Sequence, residues 1–125
     1  MNDRELIDRA IAARARAYCP YSRFPVGAAL LAGSGEVYAG ANVENAVNGL
    51  SVCAERVALM SAVAAGERTF TRIAVVCGRA PCAPCGACRQ VLHEHAPDLV
   101  VLMEAPDGSF TKTTLRDLLP NAFAL

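Results

Sequence analysis

The chain has 125 residues, of which 54% are hydrophobic, and its 12 basic side chains balance 12 acidic ones. That length suits one domain, residues 1–125, with a core that needs no disulfide staples, and the composition argues against disorder. Zero formal charge offers no net field for a nucleic acid, no apolar run is long enough to span a bilayer, and the mixed-charge start Met1-Asn2-Asp3-Arg4-Glu5 lacks a signal peptide's apolar core.

A first helix is expected over residues 3–17, where Leu6, Ala10, Ala13 and Ala17 recur at helical spacing beside Ile7 and Ile11. Its arginines, Arg4, Arg9, Arg14 and Arg16, alternate with Asp3, Glu5 and Asp8, which reads as a solvated face and not a nucleic-acid surface. Pro20 is the expected stop. Residues 26–32 are an apolar run of strand length. Gly33-Ser34-Gly35 and residues 36–40 complete a hairpin. Residues 42–52 show no period and read as loop. Good helix formers fill residues 53–65, and Gly66 sits at a C-cap position. A buried-type strand follows at 72–77, then a loop at 78–84, then a helix from Gly86 to Ala96 stopped by Pro97. Residues 99–103 form another strand, Pro106-Asp107-Gly108 a turn, and 109–112 a short fifth strand. Thr114 caps a last helix that runs to Leu119 and ends at Pro120. This order predicts the α/β class: a three-layer α/β/α sandwich around a five-stranded mixed sheet.

The cytoplasm is the expected location. Thiols stay reduced there, so six cysteines suggest metal binding or catalysis more than disulfides. Two segments carry the chemistry: Cys53-Ala54-Glu55-Arg56 and Pro84-Cys85-Gly86-Ala87-Cys88-Arg89-Gln90. The second is a C-x-x-C at a helix start, a spacing at which two thiolates hold one metal ion. Alone it also fits structural zinc and dithiol redox sites. The first adds one more cysteine, with a glutamate two residues on. Three protein ligands would leave a fourth zinc position for water, the layout of a catalytic site. A carboxylate beside that position, but not ligating, can move the water's proton. Positions two apart on a helix point in different directions, so Cys53 and Glu55 suit distinct roles. Three thiolates on Zn2+ leave a net charge of −1, which works against acidifying the water. Helix N-termini at both motifs, and donors from Arg56 and Arg89, are the expected offsets.

A Cys-x-Glu followed by a distant Pro-Cys-x-x-Cys matches the signature of zinc nucleobase deaminases. At these residues the sequence resembles the cytidine deaminase family, in particular its short-chain, homotetrameric branch. The resemblance extends to residues 17–30 (AYCPYSRFPVGAAL), residues 40–46 (GANVENA) and residues 118–123 (LLPNAF), and so covers nearly the whole chain. It implies one Zn2+ per subunit held by Cys53, Cys85 and Cys88, with Glu55 as the general acid/base. It implies that Asn42 and Glu44 bond the ribose hydroxyls, that Phe24 packs on the pyrimidine, and that Ala54 backbone groups read the base edge. Phe123 would enter a neighbouring subunit's site, so the active sites of a homotetramer would be shared. The implied reaction is hydrolysis of cytidine or deoxycytidine to the uridine product and ammonia. Asn48 stands where many relatives carry Tyr, and Asn121 where Gly is frequent.

Other readings compete. Phe24 and Phe123 suit a core, and Asn42 and Glu44 suit a turn. A structural zinc site is the alternative for the three cysteines and Glu55, although no fourth ligand stands in the motifs. Cys82 extends the run to C-x-x-C-x-x-C, but position 92 is Leu, not the Cys of an iron–sulfur run, so Cys82 reads as a free loop thiol. Cys19 and Cys77 read as small buried hydrophobes, and His93 and His95 as surface residues. Three rival functions remain: a blasticidin S-type deaminase, a deaminase of tRNA or single-stranded DNA, and a non-catalytic zinc-binding assembly module. Balanced charge and few aromatics weigh against the nucleic-acid enzyme.

Overall fold

A computed structural model describes all 125 residues. Helix α1 spans Asp3–Arg14, the hairpin strands β1 and β2 Gly27–Ala32 and Val37–Ala41, and helix α2 Ala54–Ala64. Strand β3 spans Phe70–Val76, helix α3 Gly86–His95, strands β4 and β5 Val100–Glu104 and Phe110–Thr114, and α4 Leu115–Leu118. The strands lie in the order β2-β1-β3-β4-β5. Only β3 and β4 run parallel, so the sheet is mixed, as expected.

Two helical layers follow from the two-residue period of the central strands. Ala28, Leu30, Ile73 and Val101 point to one face, where they pack with Ala58, Leu59 and Ala62 of α2 and Leu92 of α3. Their neighbours Ala29, Leu31, Ala74 and Leu102 point to the other face, against Leu6, Ile7 and Ala10 of α1. A strand buried on both faces has no polar alternation, which is why residues 26–32 read as one apolar run.

Helix α1 opens with a capping box: the Asn2 side chain accepts from Glu5 N, and the Glu5 carboxylate accepts from Asn2 N. It ends at Arg14, well before Pro20. The chain leaves the helix because Tyr18 pairs with the next segment: Tyr18 N donates to Asn42 O at 2.9 Å and Glu44 N to Tyr18 O at 2.8 Å. Residues 42–52 are correspondingly not plain loop. Val43 bridges both Tyr18 and Val52, and Asn48–Leu50 form a 3-10 turn.

Helix α2 sits directly on β2. A Cβ on Gly40 would lie 2.6 Å from Ala58 N and closer still to Ala54 O, so only glycine allows this approach. That seat fixes the start of α2, and with it Cys53 to Arg56. Thr114 caps α4 as expected, with its Oγ1 accepting from Asp117 N. Asn121 has φ 55°, a left-handed conformation that explains why glycine suits that position and asparagine tolerates it.

Candidate active site

Two helix starts and two loops build the site. Cys53 is the N-cap of α2 and Cys85 the N-cap of α3, so both thiols stand where free backbone N–H groups favour anions. Cys88 lies one turn into α3, fully buried, and its N–H donates to Cys85 Sγ. The Cys53 and Cys85 sulfurs are 3.8 Å apart, and those of Cys85 and Cys88 are 3.4 Å apart. All three sulfurs lie within 4.8 Å of one another. Thiolates sharing one tetrahedral zinc ion stand about 3.8 Å apart, given Zn–S bonds of roughly 2.3 Å. The three sulfurs therefore stand close enough together to share one such ion.

The surroundings support the same conclusion. Arg56 Nη2 donates to Cys53 Sγ at 3.5 Å, and its buried Nε has no partner. A guanidinium placed among sulfurs needs them anionic. The Cys88 thiol and then Arg56 hold the Cys53 thiol down to about 5, whereas its Cys53 neighbour and burial push Cys88 far up. Without a cation the cluster supports a thiolate beside a thiol. A divalent metal is what lets Cys53 and Cys88 ionise together. Arg89 takes no part: it donates to Pro84 O at 2.8 Å and Leu118 O at 2.7 Å, joining the start of α3 to α4. The expectation that it would reach the sulfurs is corrected accordingly.

Glu55, only 4% exposed, lines the same cavity as Cys53 and Cys85. Burial pushes its carboxyl above the usual range. The cavity has a volume of about 590 Å³, enough for a nucleoside. Phe24, Asn42, Glu44 and Ala54 line it too, so the structure gathers these residues at one place. Sequence reasoning missed Val75 and Ala83, which also line it and belong to no chemical motif.

Asn42 and Glu44 also shape the wall. Asn42 Oδ1 accepts from Val26 N at 2.8 Å and its Nδ2 donates to Phe24 O at 2.9 Å. Glu44 Oε1 accepts from Tyr21 N and Ser22 N at 3.0 and 3.1 Å, and the Ser22 side chain, followed by these backbone bonds, lowers its pKa. The turn-organising role and a place in the cavity thus coexist. Phe123 lies elsewhere. It is 68% exposed beside Pro97 and His93, its carbonyl accepting from Gln90 Nε2.

Three other expectations change. Cys82 is not a free thiol and Cys77 is not merely a small hydrophobe, because the two form a disulfide. Cys19 is free and half-buried. His93 and His95 are half-buried rather than on the surface, and His95 meets Phe70 edge-on with ring centroids 6.4 Å apart.

The family profile of the cytidine and deoxycytidylate deaminase zinc-binding region matches residues 1–104. The chain belongs to that family. It is 50% identical to a cytidine deaminase of Halalkalibacterium halodurans over 98% of this chain and 95% of that one. A crystal structure of cytidine deaminase from Burkholderia pseudomallei superposes with a TM-score of 0.95 at 53% identity, covering 98% and 100% of the two chains. A blasticidin-S deaminase of Bacillus cereus is 36% identical over 76% of this chain and 74% of its own length. With family, fold and cluster in agreement, this chain is a zinc-dependent hydrolytic deaminase.

Proposed function

We propose that this chain hydrolyses cytidine and deoxycytidine to uridine and deoxyuridine, releasing ammonia in pyrimidine salvage. The observation that carries this reading is the trio of sulfurs at tetrahedral spacing beside a buried carboxylate in a nucleoside-sized cavity. Cys53, Cys85 and Cys88 would hold the Zn2+, one per subunit. A metal held there would supply Lewis-acid activation of a water near neutral pH. Glu55 accepts that water's proton and delivers it to N3 of the pyrimidine, which sharpens the electrophilicity of C4. The water oxygen adds at C4. Glu55 then takes the remaining proton from the new C4 hydroxyl, which becomes the carbonyl, and passes it to the exocyclic amino group, which leaves as ammonia. Burial suits Glu55 to this, since a carboxylate that binds a proton readily can both take and return one. Arg56 offsets the negative charge of the thiolates.

Phe24 stacks on the base, Ala54 backbone groups meet its edge, and Asn42 and Glu44 meet the ribose hydroxyls. Both backbone donors go to Glu44 Oε1, and a carboxylate has further acceptor sites for a hydroxyl. The chain acts as a single domain and assembles as a cytoplasmic homotetramer. Exposed Val47, Leu50, Met60 and Phe123 supply apolar surface for that contact, and Phe123 completes a neighbour's site. No helix is long and apolar enough to cross a membrane.

The blasticidin S reading has one observation in its favour, the 36% identical relative. Cytidine ranks first on the higher identity and fuller coverage of its relatives. An ultraviolet assay with cytidine, deoxycytidine and blasticidin S, with and without a chelator, tests both. Chelator-sensitive loss of absorbance with the two cytosine nucleosides is expected. Turnover of blasticidin S alone would reverse the ranking.

A further inference from the structure

The loop between β3 and α3 carries two features that the reaction above does not use. Arg79 Cζ lies 4.5 Å from the centroid of the Phe24 ring, a cation–π distance, and Arg79 Nη2 donates to Arg23 O at 3.5 Å. Arg79 does not line the cavity, so it acts on the pocket through Phe24. The second feature is the Cys77–Cys82 disulfide, which closes the loop around Arg79.

The loop is held at both ends. Gly78 has φ +75°, and a Cβ there would lie 2.8 Å from the Arg14 guanidinium, whose Nε donates to Pro25 O. Arg14 therefore ties the start of the loop to the residue after Phe24. At the far end, Cys82 itself lines the cavity, three residues before Cys85. Four residues separate the bridged cysteines, which leaves Arg79 few ways to point. Without the bridge, the exposed stretch Gly78–Pro81 is left with the Gly78 seat, the long bond to Arg23 and a 3.3 Å contact of Cys77 Sγ with Ala80 O to orient it.

We propose that Arg79 is a positioning residue for Phe24, held in place by the Cys77–Cys82 bridge, so that the thiol–disulfide state of this loop sets the affinity for nucleoside. The inference rests on the reading that Phe24 stacks on the base. A ring has two faces, and a guanidinium over one leaves the other for a pyrimidine. Fixing the ring in advance removes rotamer entropy that the substrate would otherwise have to overcome.

The chemistry is thiol–disulfide exchange with a low-molecular-weight thiol. Its thiolate attacks Cys82 Sγ, the more exposed sulfur, and Cys77 leaves as a thiolate that takes up a proton. A second thiol then attacks the mixed disulfide, which frees Cys82 as a thiol and releases the small molecule as its own disulfide. Two small thiols are oxidised and one protein disulfide is reduced.

The test is steady-state kinetics on the zinc-loaded enzyme after equilibration with glutathione disulfide or with glutathione. Thiol counts on the denatured protein report the bridge, and atomic absorption reports zinc. Reduction should raise KM for cytidine about three- to fivefold, the scale of an exposed cation–π contact, with kcat and zinc unchanged. Cys82→Ser should show the raised KM in both conditions. Arg79→Ala should show it too and no longer respond to glutathione, whereas Arg79→Lys, which keeps the cation, should recover most of the affinity. An unchanged KM in Arg79→Ala, equal KM values in the two redox conditions, or thiol counts that never show a bridge would each overturn the proposal. Phe24→Leu separates the two readings. If it raises KM while Arg79→Ala does not, only the clamp falls. If it leaves KM unchanged, base stacking falls and the clamp with it.

Discussion

Glu55 and Arg56 are consecutive yet serve opposite ends of the same electrostatic problem. Glu55 is buried, and the loss of water raises its affinity for protons. Replacing it by Gln keeps the shape and removes the shuttle. Turnover should fall by about 10²- to 10⁴-fold, the usual worth of general acid–base catalysis, while zinc content stays the same. In the metal-free protein the same shift acts on stability. A raised carboxylate pKa means that the native state favours the proton, so the ionised form costs stability as pH rises. Glu55→Gln removes that cost, and metal-stripped variant should melt above metal-stripped wild type at pH 8. Arg56 works from the other side. A cation about 4 Å from a thiolate is worth roughly 4 kcal/mol at an effective dielectric near 20, before desolvation. Arg56→Gln should lower kcat at least tenfold with zinc still bound. Unaltered kinetics in that variant would remove Arg56 from the mechanism.

At the level of elements, the site stands where it does because α2 lies on β2 without a side chain between them. Gly40→Ala inserts a methyl against the backbone of Ala54 and Ala58. Overpacking of this kind costs about 1–3 kcal/mol, and the displacement falls on the turn that carries Cys53 and Glu55. Both a lower Tm and weaker zinc retention are expected; a lower Tm with full zinc occupancy would mean that α2 shifts as a rigid body with its thiols. The elements themselves were readable because their signals are local. The helical spacing of Leu6, Ala10 and Ala13, the apolar run at 26–32 and Thr114 before α4 announce themselves within a few residues, and so do the two Cys motifs at helix starts. What escaped the sequence depends on distant partners. Helix α1 ends early because Tyr18 pairs with residues 42–44. Cys77 and Cys82 are close in sequence, but their pairing needs a loop whose path is set by Arg14 at Gly78. Arg89 meets α4, not the sulfurs, because its reach is decided by where the C-terminal segment packs.

At the scale of the whole molecule, Phe123 stands apart from the rest of the site. Every other residue assigned to substrate lines one cavity, while Phe123 stands exposed at the far end of the chain. If it enters a neighbour's site, each active site needs two chains: one to supply Glu55 and another to supply Phe123. Glu55→Gln protein is then deficient at its own sites but can donate Phe123, and Phe123→Ala protein is deficient in its neighbour's sites but retains Glu55. Mixing the two, with dissociation and reassembly, should create sites that have both residues. Random pairing at equal amounts gives about a quarter of all sites intact, so activity should rise to roughly that fraction of wild type. Light scattering on the same mixture should report the mass of four chains. A mixture no more active than the sum of its parts would mean that Phe123 acts at home or not at all, and the shared site would have to be abandoned even if the tetramer stands.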